Sequence, residues 1–383
     1  MAPELALGEL KNFNNATVLD PMTGSGTVAS FAVEKGHSAL AYDLDPLAVL
    51  VSKVRTTRLD ERAYSLGVEK LERAFVASRR VVPCLHWLDD DEEGLRFVDF
   101  WFAEKQREDL RVLAFILSRP AEFEIEPDVA DALRVAMSRI IVSKKAAASL
   151  AADTSHSRPH RVKSENDYDV LEGFLKSAKA VSRFVTADLG QGSAVVERGD
   201  ARELTGVQDH SVDLVLTSPP YLNAIDYMRG HRMSLIWLGH KFSDLRQTRR
   251  TSIGAERKPD NAFSNEELGS AKVAMGEVST LPARYQGMIE RYLIDLHKMM
   301  IQVQRVLKPE GEATFVMGNS RLKGVYVENS EGLVACAKKA GLVEERRHER
   351  DLPITNRYLP TPDSGALSKR MRKEVVVTFK PAA

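Results

Sequence analysis

Short apolar runs and glycine turns dominate both ends of the chain, and amphipathic helical spacing fills the middle. Over 17–55 the order is apolar run, glycine-rich turn, helical pattern, second apolar run. That order predicts the strand–turn–helix–strand opening of a doubly wound α/β domain, with strands at 17–19 and 38–42. Over 58–189 strand signals fade, while Leu110, Leu113 and Leu117, then Leu133, Met137, Ile140 and Ile141, fall at helical spacing. A mostly helical insertion is expected there. β-patterning returns at 194–198, and the continuous apolar run at 212–216 suits a strand buried on both faces of a parallel sheet. The polar stretch 240–282, rich in Arg, Ser, Gly and Asn, reads as a long loop or lid. A helix over 284–307 and strands over 313–317, 343–350 and 374–379 complete the sheet. The expected organisation is a core of 1–57 and 190–383, with the insertion at 58–189 and the lid at 240–282 inside the core. Phe100, Trp101, Phe102, Ile236 and Trp237 are expected in apolar cores, and Asp89 to Glu93 as a solvated acidic loop.

Composition narrows the class only slightly. A chain of 383 residues with 43% hydrophobic positions can bury one large core plus a further module. The 54 basic and 54 acidic residues cancel, so a polyanionic partner would have to meet a local basic surface. Cys84 and Cys336 stand far apart and in no metal-like spacing, which suggests neither a disulfide framework nor a zinc site and fits a reducing cytoplasm. No run approaches the roughly 18 apolar residues of a membrane span, and no basic segment followed by an apolar one opens the chain. The expectation is a soluble, cytoplasmic protein without a membrane partner.

Two short segments carry the chemistry. Asp20-Pro21-Met22-Thr23-Gly24-Ser25-Gly26-Thr27 stands where the first strand hands over to a helix, so its glycines let backbone approach a ligand that the helix N-terminus also faces. A nucleotide-like cofactor is implied. Asp43, at the end of the second strand, is placed to accept hydrogen bonds from ribose hydroxyls, while Asp45 is expected to cap a helix starting at Pro46. The second segment, Thr217-Ser218-Pro219-Pro220-Tyr221, follows the apolar strand directly. Its prolines fix the backbone, so that carbonyl oxygens can face a ligand, and its tyrosine offers a flat face.

Together, Asp-Pro-x-x-Gly-x-Gly-Thr and Ser-Pro-Pro-Tyr resemble the cofactor and catalytic motifs of the DNA amino-methyltransferases, the N4-cytosine and N6-adenine enzymes. The resemblance covers about 10–55 and 192–379. It implies a Rossmann-like methyltransferase sheet that binds S-adenosylmethionine. By position it makes Asp20, Pro21, Thr23, Gly24, Gly26 and Thr27 the loop that holds the cofactor, Asp43 the ribose ligand and Asp200 the adenine contact. It makes Ser218, Pro219, Pro220 and Tyr221 catalytic. The implied partner is double-stranded DNA, with a cognate restriction endonuclease as a further one. The chain departs from the family pattern in two ways: 3–13 is a short stand-in for the helix that usually precedes the glycine loop, and the large extra module lies between the second and third strands.

The chemistry agrees. A cytosine-carbon methylase needs a thiolate nucleophile, and neither cysteine adjoins the proline-rich strand end. An amino group needs none; Ser218 and the Pro219 carbonyl, accepting its hydrogens, would localise its lone pair for direct in-line transfer. A duplex base would have to be flipped to reach such a site, with Tyr221 stacking on it. Cytosine N4 is the first choice of target, since N4-cytosine enzymes most often present a serine where Ser218 stands. Adenine N6 and a guanine amino group in RNA are the alternatives. Basic surface is available in Arg139, Lys144, Lys145, Arg158, His160, Arg161 and Lys163, in Arg246, Arg249 and Arg250, and in Lys369, Arg370, Arg372 and Lys373. His156 and His160 lack any companion Cys or acidic cluster and suit a nucleic-acid-contacting loop better than a metal site.

Overall fold

The structure is a computed structural model that describes all residues except 2, 80, 144–145, 152–159, 223–225, 255–264, 352–372 and 383, together with the side chains of 265–267. The chain divides into two units: Met1–Leu44, Gly190–Ile225 and Arg250–Ala383 form the first, Asp45–Leu189 and Asp226–Arg249 the second.

The first unit is built on a seven-stranded sheet. Its strands are β1 (Thr17–Asp20), β2 (Ser38–Asp43), β3 (Ser193–Arg198), β4 (Val212–Thr217), β5 (Leu307–Gly318), β6 (Leu342–Asp351) and β7 (Lys373–Pro381). In these labels the spatial order is β3-β2-β1-β4-β5-β7-β6. β1 to β5 run parallel, and β7 enters antiparallel between β5 and β6. This is the doubly wound α/β sheet expected from the sequence. β4 is buried at five of its six positions because helices cover both faces of a parallel sheet. Order reverses at β1, which pairs with β2 on one side and β4 on the other. The carboxyl ends of these strands therefore open a crevice at a switch point, the usual ligand position in such sheets.

The helix Ala283–Val306 seals this core with a stripe at three- and four-residue spacing, Ile289, Tyr292, Leu296, Met299 and Val303, each fully buried. Each such apolar side chain contributes about 1.5–3 kcal/mol of burial. The stretch 240–282 departs from the expected loop over part of its described length. It contains helices Phe242–Thr251 and Asn265–Ala274. The physical reason is a sparse apolar stripe in polar company: Phe242 and Leu245 are buried in the second unit, and Leu268, Ala271 and Met275 in the first.

Among its described residues the second unit is built of helices joined by loops, with no strand beyond an isolated bridge between Ala151 and Arg161. Leu110, Leu113, Leu117, Leu133, Met137, Ile140 and Ile141 all lie in one apolar cluster with Trp237, whose ring meets Phe102 edge-on at 5.2 Å. The unit starts earlier than residue 58 and takes in 226–249. Val54 of the helix Pro46–Thr56 packs in its core, Lys53 pairs with Asp131 at 2.7 Å, and Leu47 clusters with Met228, Leu235 and Leu245. Two further expectations are corrected. Phe100 is 50% exposed rather than core, because the helix Glu92–Trp101 ends there and turns its buried Val98 inward. The acidic run at 89–93 is a helix junction, in which Asp91 caps the following helix by accepting from the Gly94 N–H and Asp89 pairs with Arg111.

Candidate active site

Every residue singled out for cofactor or catalysis lies in the first unit, at the carboxyl ends of β1 to β4 or just beyond them. The glycine-rich loop turns through Gly24 at φ +52° and Gly26 at φ +75°, a left-handed region that suits glycine. Gly26 is the N-cap of the helix Thr27–Glu34, which has no side-chain cap. Thr23 N–H donates to the Tyr42 carbonyl at 2.9 Å, and Gly24 N–H donates to Asp43 Oδ2 at 2.9 Å. The two predicted cofactor elements are thus joined by a direct bond. A Cβ added at Gly24 would meet nothing within 4 Å, so the space above the loop is open where a nucleoside would lie beside Asp43. Asp45 caps the helix Pro46–Thr56 as expected, accepting from the Leu47 N–H at 2.9 Å.

Asp20 links this loop to the second motif. Its Oδ1 accepts from the Thr217 hydroxyl at 2.7 Å and from the Met22 N–H at 3.2 Å, and both Asp20 and Thr217 are buried. Burial pushes the Asp20 carboxyl up to about 6, against the Thr217 and Met22 hydrogen bonds, which favour its ionised form. A carboxyl that binds its proton more tightly when folded loses stability for the chain as pH rises from its unfolded value of 3.8 towards about 6. Asp20→Asn keeps an acceptor for Thr217 and removes that charge. The variant should melt above the unmodified chain at neutral pH and lose the advantage below about pH 4. Melting curves across this range test it; a difference independent of pH would assign the effect to packing.

Asp200 lies just beyond β3, where Gly199 N–H donates to the Asp43 carbonyl at 3.1 Å. Sequence reasoning missed its company. Arg202 donates to both Asp200 oxygens, to Asp295 Oδ1 at 2.7 Å and to the Thr251 carbonyl at 2.8 Å. Burial acts to lower the Arg202 guanidinium, but the two carboxylates overcome it and hold it above its ordinary value. The available signal was Asp295 itself, a carboxylate beside the apolar stripe of a helix.

The second motif ends β4. Ser218 is half-buried, Pro219 buried, and Pro220 and Tyr221 half-buried. The Pro220 carbonyl accepts from the buried Tyr292 hydroxyl at 3.0 Å, and the Tyr221 hydroxyl donates to Glu374 Oε1 at 3.0 Å. Neither partner was singled out from sequence.

No protein-family model matches the chain. Among curated proteins it is similar to Type II methyltransferase M.MvaI of Kocuria varians, at 22% identity over 390 residues, 94% of this chain and 83% of that protein. It is also similar to Type II methyltransferase M.BsoBI of Geobacillus stearothermophilus, at 22% identity over 152 residues, 32% of this chain and 30% of that protein. The similarity to the first extends over nearly the whole chain, and it decides the reaction class. The chain is a methyltransferase. Its cofactor is S-adenosylmethionine, and the open loop over Gly24, beside the Asp43 carboxylate, fits that molecule's nucleoside end. Among solved structures, a TehB-like SAM-dependent methyltransferase from Corynebacterium glutamicum is 9% identical with a TM-score of 0.32, covering 100% of this chain and 88% of that one. The rRNA methyltransferase aviRa from Streptomyces viridochromogenes is 12% identical with a TM-score of 0.29, covering 99% and 85%.

Arg246 pairs with Glu93, Arg249 with Asp226 and Lys373 with Glu349, and Arg139, His160, Arg161, Lys163 and Arg250 lie on the surface. Lys144, Lys145, His156, Arg158, Lys369, Arg370 and Arg372 lie outside the described residues. No described helix is long and apolar enough to cross a membrane.

Proposed function

We propose that the protein transfers a methyl group to the exocyclic amino group of a flipped base in double-stranded DNA, with cytosine N4 as its first target and a restriction endonuclease as its cognate partner. One observation carries this reading: a Ser-Pro-Pro-Tyr turn at the end of β4, tied through Thr217 and Asp20 to the cofactor loop at the end of β1. The near full-length similarity to a Type II methyltransferase supports it.

S-adenosylmethionine supplies an electrophilic methyl group on a sulfonium. The chain's own task is orientation. Gly24, Gly26 and Thr27 present backbone at a helix N-terminus, with Asp20, Pro21 and Thr23 shaping that loop, and Asp43 and Asp200 offer carboxylates to the ribose and adenine. The Ser218 hydroxyl and the Pro219 carbonyl accept the amino hydrogens, which localises the lone pair that ring conjugation otherwise spreads. Tyr221 stacks on the extruded base. Catalysis is then chiefly positioning and electrostatic orientation.

The helical unit is assigned much of the DNA contact. His160, Arg161 and Lys163 are exposed, and the Arg161 guanidinium lies 5.4 Å over the exposed Phe100 ring. Replacing Arg158, His160 and Arg161 with Ala should weaken DNA binding about tenfold or more at low salt and flatten its salt dependence, with cofactor affinity intact. Fluorescence anisotropy with labelled duplex over a salt series checks this. Equal affinity at every salt concentration rejects the role.

A further inference from the structure

The Ser-Pro-Pro-Tyr turn is held at Pro220 and Tyr221 by side chains from distant elements. Proline fixes φ at 219 and 220, and Pro219 ψ is further restricted because a proline follows it. Among the soft degrees of freedom that remain near the reacting atoms are the ψ of Pro220 and the ring of Tyr221. Each meets a partner from a distant element. The fully buried Tyr292, on the helix Ala283–Val306, donates its hydroxyl to the Pro220 carbonyl at 3.0 Å and thereby sets that ψ. Glu374, in β7, accepts the Tyr221 hydroxyl on Oε1 at 3.0 Å. Its other oxygen is engaged by Arg350 at 2.7 Å, directly opposite across the β6·β7 ladder, so the carboxylate is itself held in orientation. Entry into the turn is fixed by the bond between Thr217 and Asp20.

We propose that Tyr292 and Glu374 are positioning residues of the methyl-transfer site, Tyr292 setting the Pro220 peptide plane and Glu374, oriented by Arg350, setting the ring of Tyr221. The assignment rests on the reading of 218–221 as the catalytic turn. A hydroxyl that only filled core space would not need to reach the one proline carbonyl whose direction the prolines leave open. Glu374 is itself largely covered, its side chain 13% exposed, so its bond to the half-buried phenol is shielded from solvent, where an exposed pair would contribute little.

The test separates this role from the function itself. In single-turnover methylation of duplex DNA, Glu374→Ala and Tyr221→Phe should each slow transfer by about tenfold. The double variant should be no slower than the worse single one, because both remove the same bond. Glu374→Gln, whose amide oxygen still accepts the phenol proton, should recover most of the rate, and Tyr292→Phe should slow transfer while keeping its ring in the core. Affinity for S-adenosylmethionine, measured by calorimetry, should be unchanged in all of them. A 3-fluorotyrosine placed at 221 reads the ring without any substrate. Its fluorine resonance should shift or broaden in Glu374→Ala and in Tyr292→Phe and stay near the original in Glu374→Gln. An unmoved resonance in both variants overturns the proposal, whatever the rates. A moved resonance with full transfer rates also overturns it, because the brace would then be structural only. If the resonance moves as expected but the unmodified protein methylates no DNA base, the brace stands and the DNA reading fails.

Discussion

Gly26→Val and Asp43→Ala should each weaken binding of S-adenosylmethionine by one to two orders of magnitude, about 1.4–3 kcal/mol. At Gly26 the backbone sits at φ +75°, where a β-branched side chain is strained by about 1–3 kcal/mol. The loop would relax by moving the N-terminus of the helix Thr27–Glu34, and with it the N–H groups proposed to face the cofactor. Asp43→Ala acts twice: it removes the carboxylate proposed for the ribose and leaves the Gly24 N–H without the acceptor it has at 2.9 Å. Asp43→Asn separates these roles, since its amide oxygen can still hold Gly24. A partial loss in Asn beside a larger loss in Ala would show that the charge and the loop both matter. Titration calorimetry, with thermal melts to confirm folding, decides the matter; unchanged affinity in Gly26→Val and Asp43→Ala together would remove the loop from the cofactor site.

The fold was legible where hydrophobic pattern and burial coincide. β4 is an unbroken apolar run because parallel sheets bury both faces, and the helices at 110–117 and 133–141 show their spacing because one side of each packs in a core. The stretch 240–282 misled because Phe242 and Leu245, then Leu268, Ala271 and Met275, are few apolar positions among arginines, serines and glutamates. Phe100 misled in the opposite sense: an aromatic triplet looks like core, yet one helix cannot bury three successive side chains on a single face.

The site divides in the same way. Glycines and prolines that shape a strand end are local, so 20–27 and 217–221 stand out in the sequence. The bonds that hold them are not local. Arg202 reaches Asp295 across 93 positions, Tyr292 reaches Pro220 across 72, and Tyr221 reaches Glu374 across 153. Composition and periodicity carry no trace of such pairings. A polar or hydroxylated side chain on an apolar stripe, as with Tyr292 and Asp295, is the one sequence-level hint that a helix brings a partner to a site.

The proposed target base rests on Ser218 and Tyr221. Either exocyclic amine is a planar donor, so a hydroxyl and a carbonyl can accept from both; the serine makes cytosine N4 the expected target by resemblance to the N4-cytosine enzymes. Mass spectrometry of digested product DNA should therefore show N4-methylcytosine, and N6-methyladenine alone would move the assignment to adenine without touching the mechanism. Ser218→Ala removes one of the two acceptors proposed for the amino hydrogens. It should spare folding and cofactor affinity, because the side chain stands half-buried at the strand end rather than in the core. Loss of a hydrogen bond made mainly in the transition state slows the chemical step by about 10²–10³. Tyr221→Ala forfeits about 1–3 kcal/mol of stacking on the flipped base, a ten- to hundredfold loss before any cost in alignment. That cost is real here, because deleting the ring also deletes the bond to Glu374 that aims it. Single-turnover rates with saturating cofactor should therefore fall further for Tyr221→Ala than for Tyr221→Phe, which keeps the stacking face and loses only the tether. Full transfer rates in both Ser218→Ala and Tyr221→Ala would overturn the mechanism, whichever base carried the product.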